Sequence, residues 1–468
     1  MASYRQATAI LEQAATAFGG RERLLQLRTV SVKREGWWFL RNQSRNTGAA
    51  PDSIPQGDEW QLDLVQNRAS YEVHSGAQGI GRFSTRGFVA GDDRASLNLS
   101  RKTVTRGSSA PLATPDQLVY YWPPLVVRRA LQRAAAAKYL GEVTIAGKRQ
   151  AAISVNWQDR TDLTLYFDRA TGLLTKTDRL APDYELGDSV QEYWYDGYRP
   201  VSGIQVPEWS RAGVGGRVVL GLRTAAAAFD APLDTLLLAV PAEFRPVAPP
   251  PPPALIRAGE GVWYYVDGRA GYNVTIAETS NHLVVFEAPV GNAYSSAVLA
   301  SLRDSIPGKP VRFVILSHHH WDHVAGIPAY VAEGATVVTT GLAEPLVRRI
   351  LDARPTLAPD PLRGRTVNPV IVTVPPAGRR VLSDGRDSVV VIAAGPTPHV
   401  DAMLAVYMPR PRLLAVGDWV TADRDGPVDR DSPATQDFVQ WLRRARLVVD
   451  AVLDVHGRRV ATTELTGR

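Results

Sequence analysis

Five consecutive prolines, Pro249 to Pro253, constrain this chain more than any other feature. Proline locks φ and has no amide hydrogen, so the run can neither continue a helix nor pair inside a sheet. It forms an extended, semi-rigid spacer instead. The 468 residues also exceed what one hydrophobic core usually organises. The run therefore predicts two domains, residues 1–245 and 255–468, joined by a proline-rich linker at 246–254. No apolar stretch reaches the roughly 18–20 residues that span a bilayer, which argues against stable membrane insertion.

The first part opens with an amphipathic segment, residues 4–18, stopped by Gly19-Gly20, and a short helix is expected over 21–27. Alternating, aromatic-rich stretches follow at 29–40, 59–73, 149–157, 162–168, 191–198 and 217–222, separated by Gly, Asp, Asn and Pro turns. Residues 115–140 read as helical, ending in the Ala-rich run 126–137. The pattern predicts an antiparallel sheet with a few helices. Seven of the eleven tryptophans fall in this part (Trp37, Trp38, Trp60, Trp122, Trp157, Trp194, Trp209), as sheet core or as the wall of a ligand cavity. Its single histidine, His74, has no second histidine at ligand spacing and reads as structural or surface.

The chemistry lies in the second part. With no cysteine among 468 residues, thiolate nucleophiles, Cys-type zinc sites, iron–sulfur clusters and disulfides are all excluded. Metal chemistry must run on His, Asp and Glu. The stretch Val314-Ile-Leu-Ser-His-His-His-Trp-Asp-His323 carries an apolar strand into a loop dense in such residues, and then into a helix. Loops at strand ends carry functional groups because a rigid sheet positions them. His318 and His320 are two apart, so an extended backbone projects both to one side, towards one metal. Asp322 and His323 follow at the turn, aimed at a second position, while His319 alternates away and reads as a non-ligand.

This H-x-H-x-D-H spacing resembles the metallo-β-lactamase-fold superfamily, and later fragments follow the family's order. They are Pro396-Thr-Pro-His399, Gly417-Asp418 after an apolar strand, and Val452-Leu-Asp-Val-His456. Upstream, Tyr272-Asn273 and His282-Leu-Val-Val-Phe-Glu-Ala-Pro289 look like the family's first-half strands. The resemblance covers residues 258–468. It implies an αββα sandwich and two metal sites, His318, His320 and His399 for the first and Asp322, His323 and His456 for the second, with Asp418 bridging. Glu287 stands where relatives carry Asp, as an outer partner of a metal histidine or as a plain turn residue. Asp401 is a further outer candidate, Trp321 and Trp419 are candidate pocket walls, and all three are alternatively scaffold. His282, in a turn, reads as surface.

N- and O-donor ligands imply two zinc ions per chain, with iron or manganese as alternatives. The activity expected is that of a dinuclear hydrolase, whose metal-bridging hydroxide opens an ester, lactone or amide-type bond in a hydrophobic small molecule, with Asp322 orienting it and passing on its proton. The same core leaves open a β-lactamase, a phosphodiesterase or a mononuclear iron dioxygenase. The missing cysteine excludes the Cys-containing β-lactamase subgroup. Trp419-Val420 replace the tyrosine of many quorum-signal lactonases. Specificity is expected from loops 351–368 and 422–435.

In the first part, Ala17-Phe-Gly-Gly20, Phe167-Asp-Arg-Ala-Thr-Gly-Leu-Leu174, Gly187-Asp188 and Gln205-Val-Pro207 look like LolA/LppX-type lipoprotein-sorting domains. That resemblance implies a curved antiparallel sheet, a bacterial envelope setting and, as an alternative function, a lipid or lipoprotein carrier with a vestigial hydrolase half. The opening residues, Met1-Ala-Ser-Tyr-Arg5, lack a signal-peptide pattern. A periplasmic or secreted location is thus expected if such a peptide preceded them, and a cytoplasmic one otherwise. The net charge of +6 is spread through scattered arginines rather than clustered between aromatics, so no nucleic-acid partner is expected. The expected partner is a small-molecule substrate, and a homodimer is left open.

Overall fold

The computed structural model describes residues 2–77, 81–107, 114–156, 163–248, 250–420, 422, 424 and 426–467. Trp157 and Asp162, where two of the alternating stretches are expected to stop and start, Pro249 of the proline run, and Asp423 and Asp425 of the 422–435 loop lie outside them. Contacts divide the chain into two units. The first comprises Met1–Phe39, Ser53–Ala181 and Ser189–Ala248, and the second Leu40–Asp52, Pro182–Asp188 and Pro249–Arg468. Among the described residues no helix is long and apolar enough to cross a membrane.

The first unit is built on a 14-stranded sheet, antiparallel from Asp52–Asp63 to Thr103–Arg106 and from Ala137–Ile145 to Leu174–Asp183, with Arg245–Pro246 running parallel to Thr103–Arg106 at one edge. Strand Thr29–Leu40 pairs with Arg217–Phe229 near its middle. The opening helix, Ala2–Ala17, buries Ala7, Ile10, Leu11, Ala14 and Ala15, the three-and-four spacing of a one-sided apolar stripe. That stripe joins Trp60, Trp122, Phe167 and the helix Pro123–Gln132 in one core. Beside it Asp58 accepts two bonds from buried Arg34, at 2.8 and 2.6 Å. Removing one partner of such a pair costs about 3–5 kcal/mol.

Two sequence expectations need correcting here. Residues 115–140 are not one helix: Pro123-Pro124 restart the chain after Pro115–Tyr120, and from Ala137 it becomes the strand Ala137–Ile145. The stretch 59–73 is two strands, Asp52–Asp63 and Arg68–Ala77, because Asp63 accepts the amides of Val65 and Gln66 and turns the chain.

The second unit contains two sheets. The seven-stranded sheet begins antiparallel with Ala254–Gly259, Val262–Asp267 and Tyr272–Glu278. It continues parallel through Leu283–Phe286, Val311–Ile315, Thr336–Thr340 and Ile371–Val374. The six-stranded sheet runs from Arg379–Ser383 to Arg459–Ala461, with Leu413–Val416 parallel to Ala451–Asp454. One core cluster draws on both sheets, including Val284, Ile315 and Val338 from the first and Val391, Leu404, Ala415 and Leu453 from the second. A second cluster joins the seven-stranded sheet to helices Asn292–Ser305, Ile327–Ala332 and Glu344–Asp352. A third joins the six-stranded sheet to helix Pro433–Ala445.

Candidate metal centre

Strand Val311–Ile315 is central in its sheet, and the chain leaves it along a path fixed on several sides. Leu316 donates to the Val338 carbonyl at 3.0 Å, Leu404 donates to the Ser317 carbonyl at 2.7 Å, and Ala288 and Val290 donate to the carbonyls of His323 and Asp322. Such a backbone holds side chains in place without help from a ligand. Three other strand ends point chemistry at the same spot: His399 follows Ser388–Gly395, Asp418 follows Leu413–Val416, and His456 follows Ala451–Asp454.

These residues form two groups that could each hold a metal ion: His318, His320, His399 and Asp418, and then Asp322, His323 and His456. Within each group one nitrogen or oxygen per residue lies within 4.8 Å of all the others. Asp418 faces both. Its Oδ1 lies 3.1 Å from Nε2 of His323 and of His456, while its Oδ2 lies 3.2 Å from His399 Nε2 and 4.0 Å from His318 Nε2. The floor, His318, His320 and His323, is buried. The rim is open, with the side chains of His399 and His456 30 % and 39 % exposed.

The outward ring nitrogens decide whether a metal would fit. Oxygen atoms meet those of His318 (Ser317 Oγ, 2.8 Å), His320 (Ser44 carbonyl, 3.1 Å), His323 (Glu287 Oε2, 3.1 Å) and His456 (Gly271 carbonyl, 3.1 Å). An acceptor-only oxygen, the carbonyl or carboxylate met by His320, His323 and His456, holds a proton on the nitrogen it faces and leaves the other nitrogen for a metal, the usual support of a metal-bound imidazole. The inward Nε2 of His318 is buried with no hydrogen-bond partner. A buried acceptor left this way is costly unless something else occupies it. The donor set fits a divalent cation.

Electrostatics agrees with that fit. Burial, then the rings of His323 and His320, hold His318 well below the usual histidine range. Burial and His399 push His320 down to about 3, and burial takes His319 to about 4. Burial opposes charge on His323 and His456 too, but the Asp418 carboxylate overrides it, lifting His323 well above the usual range and His456 to about 9. Burial also opposes ionisation of Asp322 and Asp418, yet His323 keeps both below the usual carboxylate range. Carboxylates that stay ionised beside closely packed imidazoles are what a cation would neutralise.

The remaining candidates separate. Glu287 is fully buried on His323, with φ at +87°, a backbone strain that persists only where the surroundings impose it. Trp321 is half-buried and stacked on Tyr184 at 5.6 Å. Of the two alternatives for Trp419, the structure shows scaffold: it is 1 % exposed, packs on Phe438 and Trp441, and donates its indole N–H to Asp437. Asp401 has no metal-candidate histidine as its partner; its oxygens accept from Arg45 Nε and Asn46 Nδ2, both at 2.9 Å. His319 belongs to neither group, and its Nε2 lies 2.9 Å from the Ser44 carbonyl. His282 is corrected from surface to interior, because its turn folds back on Thr279 and its ring meets Phe313.

Sequence reasoning missed three participants. Tyr272 donates its hydroxyl to Asp322 Oδ2 at 2.7 Å, Gln43 donates its amide to Asp322 Oδ1, and Ser44 supplies the carbonyl already described. Tyr272 could have been found, since it opens a strand within the superfamily-like stretch. Gln43 and Ser44 lie in a polar loop 279 and 276 residues before the side chains they meet and carry no local pattern.

Residues 267–454 match the family model described as the metallo-beta-lactamase superfamily. Among solved structures, a metallo-beta-lactamase from Hirschia baltica is 18 % identical, over 46 % of this chain and 95 % of that one, with a TM-score of 0.35. One from Pontibacter korlensis is 19 % identical, over 46 % and 96 %, with a TM-score of 0.34. No curated protein matches the chain.

Proposed function

From a metallo-β-lactamase superfamily domain at residues 267–454, which makes this chain a metal-dependent hydrolase, we propose a dinuclear enzyme that opens an ester, lactone or amide-type bond in an apolar small molecule. His318, His320 and His399 would hold one cation, Asp322, His323 and His456 the second, and Asp418 would lie between them. The observation that carries this reading is the Asp418 carboxylate, whose two oxygens face the two sets of ring nitrogens. The layering of helices, two sheets and helices implied by the three core clusters supports an αββα catalytic domain over 255–468, and the expected division at the proline run is revised by residues 40–52 and 182–188, which fall in the same unit as that domain.

A zinc pair in such a site supplies a water acidified from a pKa of about 15.7 towards about 7, and a polarised scissile bond. The chain's own residues do the rest. Tyr272 and Gln43 fix the two oxygens of Asp322, so its carboxylate keeps one orientation in which to align the attacking water and return a proton to the departing atom. The open rim at His399 and His456 admits substrate, and the buried floor keeps bulk water from the ligands.

A chromogenic panel of lactones, aryl esters, β-lactams and phosphodiesters, run with and without chelator, tests the proposal. Chelator-sensitive cleavage of lactones or aryl esters is the expected result. Cleavage confined to β-lactams or phosphodiesters would move the enzyme to another branch of the superfamily. Turnover indifferent to chelation would contradict the mechanism.

A further inference from the structure

The oxygens that orient the candidate ligands do not all come from the stretch that resembles the superfamily. Two groups on the site belong to Leu40–Asp52, the connection between strands Thr29–Leu40 and Asp52–Asp63, which is part of the second unit. The Ser44 carbonyl faces Nε2 of both His319 and His320, at 2.9 and 3.1 Å, and one carbonyl oxygen has two lone pairs to offer. With its Nε2 proton committed there, His320 presents Nδ1 inward, 2.9 Å from His399 Nε2. The next residue back, Gln43, donates to Asp322 Oδ1.

The segment is held for this task by bonds of its own. Arg45 reaches Asp401 and the carbonyls of Pro398 and Thr397 at 2.8–2.9 Å, and Asp401 returns its amide to the Arg45 carbonyl at 2.9 Å. Pro398 and Thr397 immediately precede His399, so the anchor grips a ligand loop. Ser44 Oγ closes the segment internally, donating to Ala50 and accepting from Asp52. On its other side Asn42 bonds Tyr184 and Glu185, and its carbonyl accepts the Trp321 amide.

We propose that segment 40–52 is a positioning element of the metal centre: its Ser44 carbonyl sets the tautomer of His320, and its Gln43 amide sets the carboxylate of Asp322. The proposal rests on the dinuclear reading above. Each contact addresses a different cation, since His320 belongs to the first set and Asp322 to the second.

Zinc titration of the full chain against a chromophoric chelator tests it, with far-ultraviolet circular dichroism to follow folding. Partners of this kind typically cost about 10–100-fold in metal affinity when removed. Gln43→Leu should weaken one zinc equivalent by that factor and leave the other unchanged. Arg45→Ala, which frees the anchor, should weaken both. If Gln43→Leu fails to fold, Gln43→Glu keeps the side chain's size while turning a donor into an acceptor facing Asp322, and the same loss is expected. Folded variants that hold two zinc ions as tightly as the unmodified chain would overturn the proposal and leave the dinuclear reading standing. An unmodified chain that binds no zinc would overturn that reading, and the proposal with it.

Discussion

Gly417 and Asp418 show how closely the centre depends on single backbone positions. A Cβ at Gly417 would lie 2.5 Å from Ser317 Oγ, 2.7 Å from Ser317 Cβ and 3.4 Å from His318 Nδ1. Glycine is therefore what lets the Asp418 strand end approach the His318 loop, and the pair is more than a common turn. Gly457, after His456, is as tightly enclosed, with the Ala422 carbonyl oxygen and Asp454 Oδ2 pressed against the place a Cβ would take. Gly417→Ala should destabilise the chain by about 1–3 kcal/mol, the usual cost of forcing a methyl into filled space. It should also reduce metal content. Thermal unfolding and metal analysis check both effects. At this scale the sequence was legible where chemistry is written in local spacing, as in His318 to His323. It misled for His282, which turns inward, and left Trp419 and Asp401 open, because burial is a tertiary result and nothing local told that Trp419 packs on Trp441 or that Asp401 is taken by Arg45.

Among the elements, strand ends carry the site, and helices pack on the sheets that deliver them. Helix Pro433–Ala445 illustrates the support. Ser432 caps it by accepting the Thr435 amide at 3.2 Å, and it buries Phe438, Trp441 and Leu442 against the sheet that delivers Asp418 and His456. Ser432→Ala should lower stability by about 1 kcal/mol while leaving zinc stoichiometry unchanged, because the cap touches no candidate ligand. A lower thermal midpoint with full metal content is the expected pair of measurements. Strand or helix type was readable from periodicity in stretches such as 4–18, 29–40 and 217–222. The failures have identifiable causes: Pro123-Pro124 cut one apparent helix, the Ala-rich run gave no hint of the strand from Ala137, and the Asp63 turn divided one apparent strand.

For the whole molecule, pH and metal are the two external variables that matter. In the first unit, burial works to raise Asp63 and Asp230, yet both are held below the usual carboxylate range. The Gln66 amide and Arg68 stabilise one, and the Arg28 amide and Arg23 the other. A depressed folded-state pKa contributes stability above the unfolded value of about 3.9, and that stability is lost as pH falls through the folded value. The share of stability that Asp63 contributes should thus be lost only as pH falls below about 4, so over that range the thermal midpoint should fall less steeply in Asp63→Asn than in the unmodified chain. The convergence of four strand ends on one site could be anticipated from motif order. The recruitment of segment 40–52 could not, because no periodicity or motif links Gln43 to Asp322 across 279 residues. Metal content of the full chain, compared with Asp418→Ala, is the most direct test of one carboxylate shared by two cations. About two equivalents of zinc are expected in the unmodified protein and fewer in the variant, with hydrolysis lost alongside the metal. One equivalent in the unmodified protein, or two retained without Asp418, would contradict a shared carboxylate.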